Sequence, residues 1–147
     1  MRVRRERTGG PALHRRRGAA ARGEARATVF RDELRMREVE REKAAEQALS
    51  DLDAAAERLR SEGTLEALAA YKQALKAAVE DALRRAYRVQ AETGFARGGR
   101  RRLLYVVRIV DAKLEELTRL LLARERDNLA IAARLDEIRG LLLDLYR

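Results

Sequence analysis

Residues 101–147 read RRLLYVVRIVDAKLEELTRLLLARERDNLAIAARLDEIRGLLLDLYR, and the spacing of their apolar side chains decides the fold class. Positions 103, 107, 110, 114, 117, 121, 124, 128, 131, 135, 138, 142 and 145 alternate steps of four and three. All are apolar except Arg124 and Asn128. Such steps keep side chains on one face of an α-helix, whose turn holds 3.6 residues, whereas a strand would need period two. The stripe predicts a helix opening near Arg101 with coiled-coil-like packing, its two polar interruptions either fixing register or marking a bend. Run straight, it would be about 65 Å long, against about 45 Å for each helix before it. Its last turns, Ile131 to Tyr146, would then overhang a three-helix bundle and leave Leu135, Ile138, Leu141, Leu142, Leu143 and Leu145 in water. Either the chain bends near Arg124 to Asn128 and folds back a fourth helix, or two copies pair through these ends.

Upstream, the chain has no proline after Pro11, and beyond residue 28 the glycines stand at 63, at 94, 98 and 99, and at 140. Between them run stretches of Ala, Leu, Glu and Arg, the strongest helix formers. A first helix is expected from Val29 to Ser61, with Thr28 as N-cap and Phe30, Leu34, Leu49, Leu52, Ala56 and Leu59 inward. Glu62-Gly63 stops it. Thr64 then caps a second helix that ends near Thr93 and turns Leu68, Tyr71, Leu75, Ala78, Ala82 and Val89 inward. So short a connection makes the pair an antiparallel hairpin. The expected fold is all-α: an antiparallel bundle of three long helices over residues 29–147, the third either straight or bent into a fourth.

Charge is unevenly distributed. The whole chain carries +9, yet residues 1–28 hold nine Arg against two Glu, which leaves only +2 for the rest. This segment also has the one proline, four glycines and few large apolar side chains, a composition that cannot offset the entropy of ordering, so a disordered basic tail is expected over 1–28, with low-level helix near its end. Such a tail, Arg15, Arg16 and Arg17 included, can neutralise phosphates with little sequence preference. It can equally be solvated and dispensable, since the excess of Arg (29) over Lys (4) is what GC-rich coding produces. No aromatic residue interleaves its arginines to stack on single-stranded bases.

Composition removes several function classes. With no Cys and one His, His14 in the tail, thiol nucleophiles, disulfides, Cys-based zinc sites and His-rich metal sites are excluded. The absence of Cys fits a reducing cytoplasm. The apolar runs Leu103 to Val107 and Leu129 to Ala133 fall far short of the roughly 20 residues of a membrane-spanning helix, and the Arg-rich start is followed by no apolar block of a secretion signal.

Four features carry chemistry that could be used. In Gly94-Phe95-Ala96-Arg97-Gly98-Gly99-Arg100-Arg101-Arg102, glycines and four Arg precede a helix start, where backbone N–H groups can hold an anion. The same segment also serves as an ordinary interhelical loop, with Phe95 plugging the bundle end. Asn128 at a seam position either pairs with a symmetry mate or faces solvent at a bend. Gly140 costs about 1 kcal/mol inside a helix relative to Ala. Either close approach of another backbone offsets this, making Ile138, Gly140, Leu141 and Leu145 a candidate interaction surface, or the glycine marks mild fraying of the helix near the terminus. The carboxylates 111, 115, 116, 125, 127, 136 and 137 contain no Glu-x-x-His pair of a di-iron bundle, and Glu115 and Glu116 fit helical pairing with Arg119 and other exposed bases.

The run Leu135-Asp136-Glu137-Ile138-Arg139-Gly140-Leu141-Leu142-Leu143-Asp144-Leu145-Tyr146 resembles the closing pattern of the YaaR-like family, small bacterial helical proteins of unknown function. Leu68, Tyr71-Lys72, Phe95, Gly98-Gly99, Arg101, Ile109, Asp111, Leu114, Leu117-Thr118, Glu125 and Asp127 fall where that pattern places them. The resemblance spans Phe30 to the C-terminus and leaves residues 1–28 outside. It implies a helical bundle with no established activity and no catalytic residue to carry over. The chain departs from it in having Ala and Arg where relatives tend to have mixed polar residues.

Taken together, the sequence predicts a non-enzymatic, cytoplasmic helical interaction or scaffold protein. It would self-associate or pair with another helical protein, without cofactor, metal or membrane. The alternative is an accessory nucleic-acid-binding protein that uses the Arg-rich tail with Arg97, Arg100, Arg101 and Arg102.

Overall fold

Strong helix formers and a single proline leave the backbone little alternative to helix. The computed structural model describes the backbone of residues 10–94 and 98–147, with side chains from residue 18 onward. Those residues form four α-helices and no strand: α1 (Gly10–Glu62), α2 (Leu65–Thr93), α3 (Gly99–Leu122) and α4 (Asn128–Tyr146). The chain divides into two units between Glu42 and Lys43.

In residues 43–147 each helix junction has a local cause. Gly63 adopts φ +61° and donates its N–H to the Leu59 carbonyl at 2.9 Å, closing α1 with the left-handed residue that glycine tolerates best. The Thr64 hydroxyl then accepts the Ala67 N–H at 3.1 Å and starts α2. Gly98, also left-handed, precedes α3. At the last junction the Asp127 carboxylate accepts the Ala130 N–H at 3.0 Å and caps α4.

The four helices share one core, made by Leu52 and Leu59 of α1, Leu68, Tyr71, Leu75, Ala78 and Ala82 of α2, Val110, Leu117 and Leu121 of α3, and five residues of α4. Ion pairs Glu116–Arg134 and Lys113–Glu137 run α3 and α4 antiparallel. Tyr71 lies beside Leu135 and Arg139, and Tyr146 reaches Ala78 and Asp81, so α4 runs in the direction of α2. With the end of α1 antiparallel to α2, the order is up-down-up-down, and α4 packs on both α2 and α3.

Three expectations are corrected. The single third helix is two helices, separated by residues 123–127. Of the two arrangements weighed for its apolar end, α4 takes the folded-back one: Ile131, Leu135, Ile138, Leu142 and Leu145 are buried within the chain instead of overhanging it. Every buried residue of α3 and α4 belongs to the stripe read from the sequence, and its two polar members, Arg124 and Asn128, fall at the break.

The start of α1 is the second correction, since the helix begins at Gly10 and not at Val29. Thr28 is therefore no cap; its hydroxyl donates to the Glu24 carbonyl one turn back, at 2.9 Å. Residues 10–28 are helical where disorder was expected, and residues 1–9 lie outside the described residues. Low apolar content limits packing, but an Ala- and Arg-rich segment keeps its helix propensity.

The third concerns burial. Phe30 and Leu34 of α1 and Val89 of α2, all expected inward, are exposed, Phe30 by 61%. Residues 18–40 are exposed throughout.

Candidate functional site

The polar side chains of residues 43–147 assemble into three clusters that join helices. Between α3 and α4, Arg134 reaches Glu116 at 2.9 Å and also holds Glu137, while Lys113 lies 3.2 Å from Glu137 and 3.6 Å from Glu116. Two cations and two carboxylates thus close a ring across the hairpin. The hydrogen bond from Lys113, followed by the contribution of Arg134, holds the Glu137 carboxyl below its usual range. Glu115 pairs with Arg119 and Glu116 with Lys113 at helical spacing, as the sequence suggested, and Arg134 draws Glu116 into the ring as well.

On the other side of α4, Arg139 donates to Asp53 of α1 at 2.8 Å, which pushes the guanidinium further toward its charged form. Tyr71 is buried beneath this pair, and burial followed by the Asp53 charge raises its phenol above the ordinary value of 10. At the end of α4 the Tyr146 hydroxyl donates to Asp81 at 2.8 Å, with the Ala78 carbonyl at 3.3 Å. Burial and that hydrogen bond raise its phenol too. These groups are saturated by one another and serve as clasps. Among the described residues no group of three or more His, Asp or Glu side chains could hold a metal. No described helix is long and apolar enough to cross a membrane.

The residues singled out from the sequence are dispersed. Arg15, Arg16 and Arg17 lie on the backbone of α1, with side chains outside those described, and Arg97 with Phe95 is outside the described residues altogether. Arg100, Arg101 and Arg102 are exposed in the first turn of α3. Asn128 is exposed as the first residue of α4, which is the bend alternative and not the seam.

The interaction surface centred on Gly140 is corrected in part. Ile138 and Leu145 belong to the core because α4 folds back, and they present nothing outward. A Cβ at Gly140 would meet nothing within 4 Å, so no neighbouring backbone in this chain calls for glycine there. Gly140 and the half-buried Leu141 instead line a shallow groove with Ile109, Lys113, Leu143 and Asp144.

Two outward features were missed by the sequence reading. Val29, Phe30, Leu34, Met36 and Val39 stand exposed on α1. Leu65, Leu122 and Leu129 are exposed where α1 meets α2 and α3 meets α4, the first two edging a depression also lined by Arg126. Their signal was available as apolar residues off, or beyond the end of, the buried stripe.

Comparison with known proteins extends the resemblance. A family model described as a protein of unknown function, DUF327, matches residues 11–146. The match therefore takes in most of the Arg-rich segment that the resemblance had left outside. The uncharacterized protein YaaR of Bacillus subtilis strain 168 is 32% identical over 98 residues, which is 67% of each chain. The crystal structure of BH1478 from Bacillus halodurans aligns at TM-score 0.69 with 31% identity, covering 77% of this chain and 92% of that one. That of TM1646 from Thermotoga maritima aligns at 0.67 with 33% identity over 80% and 98% of the two chains. On this shared fold and sequence the chain belongs to the DUF327 family of YaaR-like helical proteins, whose function is unknown.

Proposed function

We propose that this protein is a non-enzymatic, cytoplasmic interaction protein that pairs helices through residues 18–42 of α1, with a second copy of itself as the partner. The observation that supports this reading is the set of large apolar side chains, Val29, Phe30, Leu34, Met36 and Val39, standing in water on a helix. Phe and Met are among the residues that interfaces gather. Residues 18–42 also carry six Arg against six carboxylates, so two copies of this stretch meet without net repulsion and can exchange ion pairs along their flanks. The ion pairs and hydrogen bonds that clasp α4 to its neighbours fit a scaffold that carries this helix better than an active centre.

Sedimentation velocity on the full chain over a concentration series tests the reading. The expected result is a dimer that Phe30→Asp with Leu34→Asp converts to monomer, with helicity retained by circular dichroism. A wild-type chain that stays monomeric throughout, or a double variant that dimerises as well as wild type, overturns it.

A further inference from the structure

The net charge of residues 43–147 is concentrated at one end of the bundle. Residues 81–111 hold eight Arg against three carboxylates, whereas 43–80 hold five bases against seven carboxylates and 112–147 seven against seven. The fold makes this stretch a single place: it is the end of α2, the connection and the start of α3. Gly99 brings the two helices together there, its Cβ position lying 3.4 Å from Gln90 Nε2. Elsewhere in the bundle bases and carboxylates nearly balance in number, and part of them pair in the Lys113–Glu116–Arg134–Glu137 ring and the Asp53–Arg139 pair. Here Arg84 approaches Asp81 at 3.9 Å, while Arg88, Arg101, Arg102 and Arg108 are exposed and enter no ion pair among the described residues.

An aromatic side chain stands among these cations. On α3 the positions 101, 104, 105 and 108 follow helical spacing along the face opposite the core positions Val110, Leu117 and Leu121. That face reads Arg101, Leu104, Tyr105, Arg108, and Tyr105 is 65% exposed. Nothing in the core or in the clasps uses these side chains.

We propose that this end of the bundle binds single-stranded nucleic acid, with Arg88, Arg101, Arg102 and Arg108 on phosphates and Tyr105 stacked on a base. The association is independent of helix pairing by α1 and goes beyond it. Unpaired guanidinium groups release counterions from a phosphate backbone. An exposed phenol beside them gains only where bases are unstacked, which a duplex does not offer. An anionic membrane is less well matched, because a helix lying on a bilayer needs an apolar face and the outer face of α3 offers only Leu104 and Tyr105.

The test is fluorescence anisotropy of labelled oligo-dT, and of a duplex of equal length, titrated with the full chain at several salt concentrations. Each neutralised phosphate contributes about 0.7 to the slope of log K against log salt on a single strand, so Arg101→Gln with Arg102→Gln and Arg108→Gln should lower that slope by about 2. Tyr105→Ala should weaken oligo-dT binding about tenfold with the slope unchanged, and Tyr105→Phe should retain it, because stacking needs the ring and not the hydroxyl. All positions are exposed, and circular dichroism checks that the variants keep their helicity.

Binding that survives the Arg triple variant but is lost in Arg15→Gln, Arg16→Gln, Arg17→Gln assigns the affinity to the basic N-terminal segment and overturns the proposal. So does a duplex bound as tightly as oligo-dT with Tyr105→Ala unaffected. Absence of oligo-dT binding at low salt, with or without binding to phosphatidylglycerol vesicles, also overturns it.

Discussion

Two stretches of one helix, residues 18–42 and residues 43–62 of α1, have the same kind of sequence and opposite fates. Steps of three and four connect Phe30, Leu34, Arg37, Arg41, Ala45, Ala48, Leu52, Ala55 and Leu59. Ala45, Leu52 and Leu59 are buried, while Phe30 and Leu34 are in water. Amphipathic spacing thus marks a face that can be buried, and only a second surface at the right place buries it. From residue 43 that surface is supplied by other helices, which join Leu52 and Leu59 in a common core. At the end of the first stretch Arg37 and Arg41 occupy the face itself, so the apolar stripe of the core ends where the sequence turns charged.

The comparison breaks most readily at its extremes. Ile138→Ala or Leu142→Ala, each removing a fully buried side chain of α4, should cost about 2–5 kcal/mol in urea denaturation. Phe30→Ala removes a larger side chain and should leave the unfolding free energy of the monomer within about 0.5 kcal/mol of wild type. If Phe30→Ala destabilised a dilute monomer as much as the α4 variants, residues 18–42 would be part of a core and the contrast would be wrong.

A smaller effect is expected at the clasp between α4 and α2. Tyr146→Phe removes a hydrogen bond to the charged Asp81 and should cost about 1–3 kcal/mol. It should also change the response to base. Burial and the Asp81 bond raise the Tyr146 phenol above its ordinary value, so the folded chain holds that proton more tightly than the unfolded chain. The stabilisation is therefore complete below about pH 10 and is lost as pH rises through the folded value. Melting curves across this range should fall less steeply for Tyr146→Phe than for wild type, with Tyr71 responsible for the remaining slope.

Much of residues 43–147 was legible because its determinants are local. Gly63, Thr64 and Thr93 bound α2 where spacing and capping placed the ends, and Leu68, Tyr71, Leu75, Ala78 and Ala82 are buried as the period required. The break between α3 and α4 was legible only as an alternative, since residues 123–127 read Ala-Arg-Glu-Arg-Asp, with no glycine or proline to announce a turn. The clasps were not legible at all: Arg139 with Asp53 and Tyr146 with Asp81 join residues 86 and 65 positions apart, beyond any helical spacing rule. Ile138 and Leu145 were placed on an outward surface for the same reason, because whether they face a partner or the chain itself is decided by the turn that precedes them. The extent of helix over residues 10–28 was underestimated because apolar content was taken to govern helix formation as well as packing.

That turn can be weakened directly. Asp127→Ala deletes the carboxylate that caps α4 and should cost about 1 kcal/mol by chemical denaturation, with Thr64→Ala costing a similar amount at the start of α2. A much larger loss at Asp127 would mean that the cap decides whether α4 folds back. A negligible loss would leave the apolar stripe alone to do so.

The smallest effect is assigned to Glu137, where a half-exposed ion-pair ring joins α3 and α4. Hydrogen bonding by Lys113 and Arg134 holds this carboxyl below its usual range, so its contribution is present above the unfolded value near pH 4.3 and is lost as pH falls through the folded value. Glu137→Gln should therefore reduce the drop in urea midpoint between neutral and acidic solution while changing the neutral midpoint little, since exposed pairs are weakly coupled to stability. Glu116 remains in the variant to hold Lys113 and Arg134, which limits the change further. An unchanged acid response would mean that the apolar seam between α3 and α4, and not the charges bordering it, distinguishes this hairpin from the exposed stretch of α1.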